Sequence, residues 1–142
     1  MKKVIFLMLA LCLGLTVGYG SNAKESKSTS QKDVVEVLYF HGKQRCATCM
    51  AIEKEAKTVV NSQFANAVKS GKVKFRIIDI TKAENEAIAN KYEITWSSLV
   101  VVKHKGGKEQ AENLTKFAFA NARSKPEVFR NELTKKINGL LK

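Results

Sequence analysis

Cys46-Ala47-Thr48-Cys49 sets two thiols one helical turn apart, after a strand-like run and at the head of a long stretch with helical periodicity. Two cysteines at this spacing are only moderately informative, and their position adds more. At a helix start the first backbone amides have no partner within the helix and the dipole end is positive, so an anion is stabilised there. Cys46 at such a point loses its proton more readily than a free thiol, and the thiolate is the form that attacks a disulfide. Lys43, Arg45 and His41 lie just upstream and add positive potential. Cys49, one turn on and further inside, is placed to attack a mixed disulfide at Cys46 and release the partner. A purely structural bridge is the plain alternative. It would close a very short loop, and in the chain-entropy account such a loop stabilises little.

The elements that must hold these cysteines can be read around them. Val34-Val35-Glu36-Val37-Leu38-Tyr39-Phe40 is β-branched, aromatic and nearly all apolar, as expected of a strand covered on both faces, with His41-Gly42 ending it. From Ala47 onward, Ile52, Ala56, Val59, Val60, Phe64, Ala67 and Val68 recur at helical spacing, predicting one long helix stopped at Gly71. Val73 to Ile80 reads as a second buried strand. Thr81 and Glu84 fit a capping box opening a short helix that runs to about Tyr92. Leu99 to Val102, then Lys103 to Lys108 around Gly106-Gly107, then a polar run to Leu114 read as an antiparallel hairpin whose first strand is the buried one. Ser124, Pro126 and Glu127 signal the start of a closing helix with Phe129, Leu133, Ile137 and Leu140 on its apolar face. The piece between, Lys116 to Arg123, reads equally as a helical turn or an irregular loop. The order β-α-β-α-β-β-α has two crossovers that call for parallel pairing and a hairpin that adds antiparallel strands. The fold class is therefore α/β, a mixed four-stranded sheet flanked by helices.

The first residues read as an export signal covering 1–23: Lys2 and Lys3, an apolar run from Val4 to Val17, then Ser21-Asn22-Ala23 as the cleavage site. The run is interrupted by Gly14 and is short of the roughly 20 apolar residues of a membrane span. Cys12 follows Leu9-Ala10-Leu11, a loose likeness to a lipoprotein cleavage box with a bulky Leu11 where a small residue is wanted, so a lipid anchor there is the minor alternative. Residues 24–32 are polar and read as a flexible leader, leaving 33–142 as one domain. The expected location is outside the cytoplasm, periplasmic or extracellular. A formal net charge of +12 is strongly basic. The lysines are scattered and not interleaved with aromatic residues, which fits solvated faces and argues against a nucleic-acid partner.

The strand, Cys46-Ala47-Thr48-Cys49, the helix after it, and the succession of strand, helix, hairpin and final helix resemble the thioredoxin family. Tyr92 to Val102 is similar to the stretch that leads thioredoxins into their third core strand, and Gly106-Gly107 matches the turn that follows. The resemblance implies a three-layer sandwich and thiol–disulfide oxidoreductase activity. Its implied partners are protein thiols and disulfides and a redox partner protein, with no tightly bound cofactor. It also implies supporting roles for the residues around Ser97-Ser98; Trp96 would lie near that turn and so near the cysteines, where an aromatic is equally ordinary packing. Three positions depart from the family pattern. Ser98 stands where the family has a cis-proline, the chain's one proline being Pro126. Arg45 stands where thioredoxins have a tryptophan, and Phe40 near where they have a buried acid, leaving Asp79 or Glu53 as candidate replacements.

Two other functions use the same residues differently. In one, Cys46 and Cys49, with His41 or Met50, hold a soft ion such as copper(I) or zinc. Met50 is otherwise expected on the buried face of its helix. In the other, a basic domain binds an acidic partner through its lysines and the cysteines matter little.

Overall fold

Strand β1, Val34–His41, is the axis on which everything else is placed, and five of its eight residues are buried. The computed structural model describes residues 33–142; the expected signal, its cleavage site, Cys12 and the leader lie outside the described residues. β1 pairs in parallel with β2, Val73–Asp79, and antiparallel with β3, Ser98–Lys105, which in turn pairs with β4, Lys108–Asn113. The resulting order, β2-β1-β3-β4, is a mixed four-stranded sheet as expected, but only the first crossover, from β1 to β2, joins parallel strands; β3 runs antiparallel to β1, so the second connection does not give the parallel pairing expected of it.

Because successive strand residues face opposite ways, the all-apolar β1 supplies two cores. Val35, Val37 and Tyr39 join Leu99 and Val101 of β3 on one face. There they meet α1 (Ala47–Gln63), α4 (Thr115–Asn121) and α5 (Pro126–Leu140) through Ile52, Val59, Ala118, Phe129, Leu133 and Ile137. Leu38 and Phe40, with Ile78, Val100 and Val102, face the other way and pack on Ala89 and Ile94, within and just beyond α3 (Glu86–Lys91). The fold is thus the thioredoxin-like three-layer sandwich, with helices on both sides of the sheet. Lys116 to Arg123, which the sequence left open, is mostly α4. Gly106 and Gly107 both take positive φ, +56° and +75°, a backbone that suits glycine and closes the β3–β4 hairpin in two residues.

Several local expectations give way. The single long helix is broken at Phe64, whose φ and ψ are −119° and 20°, and the chain restarts as α2, Ala65–Lys69. Phe64 is buried, whereas α2 has no fully buried residue and touches the core only through the partly buried Ala67. The capping box does not form. Asp79 Oδ1 accepts from the Thr81 amide at 3.0 Å and the Thr81 hydroxyl at 2.7 Å, and this local turn takes the hydroxyl that a cap would need. A short 3₁₀ turn, Ala83–Asn85, precedes α3 instead. β2 is an edge strand, and only Val73 and Ile78 of it are buried.

Candidate functional site

The ladder between β1 and β3 pairs Phe40 with Ser98, so the C-terminal end of β1, the start of α1 and the entry to β3 meet at one end of the sheet. Cys46 is the N-cap of α1, with φ −71° and ψ 162°, and its Sγ accepts the amide of Cys49 at 3.0 Å. No other side chain caps this helix start, so the sulfur occupies the place that a serine or aspartate oxygen usually takes. Cys46 and Cys49 are joined in a disulfide with their Cα atoms 5.0 Å apart. The two sulfurs are not equivalent in access: Cys46 is exposed, whereas Cys49 keeps only 5% of its surface.

Behind the disulfide stands Tyr39, a residue whose role the sequence reading missed. It is fully buried, and its hydroxyl donates to the carbonyl of Cys49 at 2.7 Å. Burial pushes the phenol above its ordinary pKa, while Arg45 pulls the other way, so the hydroxyl stays protonated and continues to donate at neutral pH. The signal was present: a tyrosine inside an otherwise aliphatic strand needs a partner for its hydroxyl.

Arg45 lies over Tyr39, its guanidinium carbon 5.9 Å from the ring centroid, and forms an ion pair with Glu53 of α1. Partial burial works against its charge, but the bonds to Glu53 and Tyr39 outweigh that and hold the guanidinium above its usual range. Its positive charge is therefore not free to serve Cys46 alone, as the sequence suggested. Glu53, considered as a proton acceptor, is instead this cation's partner. Asp79 is engaged with Thr81, whose hydrogen bonds draw its carboxyl below the ordinary range, and it pairs in register with His41.

His41 stacks on Tyr39, centroids 6.2 Å apart, with Nδ1 and the Gly42 carbonyl 3.0 Å apart. Ser97 borders the Tyr39 hydroxyl. Ser98 is buried and its hydroxyl donates to the Trp96 carbonyl at 3.0 Å, and no peptide bond among the described residues is cis. Trp96 is 57% exposed and rests against Phe119 of α4 at 5.1 Å. Met50, expected on the buried face of α1, is 53% exposed next to Cys49; the inward positions are taken by Cys49 and Ile52. Among the described residues no group of three or more His, Cys, Asp or Glu side chains is placed to hold a metal ion. Nor is any helix among them long and apolar enough to cross a membrane.

The chain is similar to several solved structures. One is Trxlp from Edwardsiella tarda EIB202, with 14% identity, 71% of this chain and 82% of that one covered, and a TM-score of 0.44. Another is a thioredoxin from Thermus thermophilus, with 15% identity, 72% of each chain covered, and a TM-score of 0.45. A third is a structure described as a malarial protein, at 17% identity over 61% of this chain and 93% of that one, with a TM-score of 0.40. No family model matches the sequence, and no curated protein matches it. On the geometry alone, a Cys-x-x-Cys disulfide whose exposed first sulfur caps a helix start is an arrangement suited to redox chemistry at sulfur in general.

Proposed function

We propose that this protein is a thiol–disulfide oxidoreductase that exchanges disulfides with protein partners through Cys46 and Cys49, and that it works outside the cytoplasm. The observation that carries the reading is the unequal setting of the two sulfurs. Cys46 is exposed and bonded to a helix-start amide, while Cys49 is buried directly behind it. Only the first can be reached by a large partner. The proposed location rests on the basic and apolar leader of the sequence.

In the oxidising direction a partner thiolate attacks Sγ of Cys46. The Cys46–Cys49 bond breaks, a mixed disulfide forms, and Cys49 leaves as a thiolate that takes up a proton. A second partner thiolate then attacks the partner's own sulfur in the mixed disulfide, giving the partner disulfide and the Cys46 thiolate. Two electrons pass from the partner to the protein. In the reducing direction the Cys46 thiolate attacks a partner disulfide, one partner sulfur leaves as a thiolate, and Cys49, once deprotonated, attacks Sγ of Cys46 to free the second. The amide of Cys49 and the start of α1 favour the Cys46 thiolate over an ordinary thiol. The Cys46 thiol is accordingly expected to ionise below the free-thiol value of about 8.5.

Insulin reduction and refolding of a reduced disulfide protein test the reading, with Cys46→Ser and Cys49→Ser in parallel. Cys46→Ser should abolish turnover. Cys49→Ser should trap a mixed disulfide visible by intact mass. Turnover that survives Cys46→Ser would refute the proposal, and tight copper(I) binding without turnover would turn it toward metal delivery.

A further inference from the structure

Resting on that reading, a second assignment concerns what sets the direction of exchange. We propose that Glu53 is a positioning residue that offsets the charge of Arg45, the cation next to Cys46 in the chain, with the Tyr39 ring seating the guanidinium, and thereby holds the cysteine pair toward the reducing end of its range.

The argument starts from where charge exists. The disulfide carries none, whereas the reduced site carries a thiolate at Cys46, so any neighbouring charge acts almost wholly on the reduced state. A free guanidinium one residue from Cys46 would stabilise that thiolate, lower its pKa and raise the reduction potential. Arg45 is not free. Glu53 stands four residues beyond Cys49 on α1, on the same side of the helix one turn on, and its carboxylate pairs with the guanidinium. Tyr39 supports the same guanidinium from below with its ring. The Tyr39 hydroxyl is tied to the Cys49 carbonyl, which ties this support to the first turn that carries both sulfurs. The other basic groups of this region are Lys43, exposed in the loop, and His41, whose ring stacks on Tyr39. Glu53 thus brings a negative charge to a site that the sequence makes look uniformly positive. Both it and Arg45 are partly exposed, so the effect is moderated by water but not removed.

The experiment is an equilibrium redox titration of the purified protein in glutathione and dithiothreitol buffers. It is read by intact mass, with the Cys46 thiolate followed against pH by its ultraviolet absorbance. Glu53→Gln should shift the equilibrium by about three- to tenfold toward the dithiol, with the thiolate appearing at lower pH. Arg45→Gln should move both readouts the opposite way by about threefold. Tyr39→Phe, which keeps the ring under the guanidinium and removes only the hydroxyl bond to the Cys49 carbonyl, should leave both readouts within about twofold of the parent. The double variant of Arg45 and Glu53 should fall back near the parent, because each change removes what the other acts on. A Glu53→Gln equilibrium within twofold of the parent, or a shift toward the disulfide, overturns the assignment while leaving the oxidoreductase reading in place. A parent protein that exchanges with neither buffer overturns both.

Discussion

The two faces of the sheet are closed by different means. On the side of α1, α4 and α5, apolar side chains from three helices and three strands form one continuous core, with Phe129 stacked on Phe117 at its edge. On the side of α3 the core is smaller, and its rim is fastened by polar groups. Glu109 of β4 accepts from Lys91 and from the hydroxyl of Tyr92, while the His104 ring nitrogens face Glu36 at 3.1 Å and Glu109 at 3.5 Å. Tyr39 belongs to the first face, so the disulfide is backed by the more extensive of the two cores. The difference teaches that the cysteine end rests on the larger apolar core, to which the Arg130–Glu55 pair adds one polar tie, whereas the α3 side supplements a smaller core with groups that water and pH can reach.

The contrast is tested most severely by Phe129→Ala. Emptying a fully buried aromatic position should cost about 3–5 kcal/mol in denaturant unfolding and loosen the cysteine site with it. Ile94→Ala, in the smaller core, should cost about 2 kcal/mol, near the low end for such truncations. Its effect should be local, with amide exchange rising first in α3 and the Cys46–Cys49 equilibrium unchanged. If Ile94→Ala moves that equilibrium as much as Phe129→Ala does, the two faces are not separate in the way proposed.

The smallest effect belongs to the polar rim. Lys91→Met should lower stability by no more than about 1 kcal/mol, because the pair is screened by water. Its pH dependence carries a definite sign. Burial alone would raise the pKa of Glu109, but hydrogen bonds from Lys91 and Tyr92 outweigh it and bring the group below its ordinary 4.5. A carboxylate depressed in the folded state stabilises above its unfolded pKa, and that contribution is lost as pH falls through the folded one. The difference in thermal midpoint between parent and Lys91→Met should therefore be present at neutral pH and be lost on acidification as the pH falls through the lowered pKa of Glu109. The Tyr92 phenol, raised to about 12 chiefly by burial and then by Glu109, remains a donor throughout.

What could be read in the sequence follows from how local each signal is. The apolar run of β1 and the spacing of Phe129, Leu133 and Ile137 have periods that a single element dictates, and both elements stand where expected. The Gly106-Gly107 turn was legible for the same reason. Thr81 was misread because two local patterns compete for one hydroxyl, and Asp79, two residues back, won. Met50 was misread because helical periodicity alone does not say which of two adjacent residues points inward when Cys49 and Ile52 already fill that side. At the site, the helix-start position of Cys46 could be anticipated. The pairing of Arg45 with Glu53 and the bond from Tyr39 to Cys49 could not, since they join residues eight and ten positions apart across a strand, a loop and a helix.

Trp96 is the chain's single tryptophan, more than half open to solvent and leaning on Phe119 in the turn that leads into β3. Its emission is consequently a label-free optical probe of that one turn. A protein client seated across the cysteine end would shield the indole and shift its emission to the blue, so encounter can be timed separately from the sulfur chemistry that follows it.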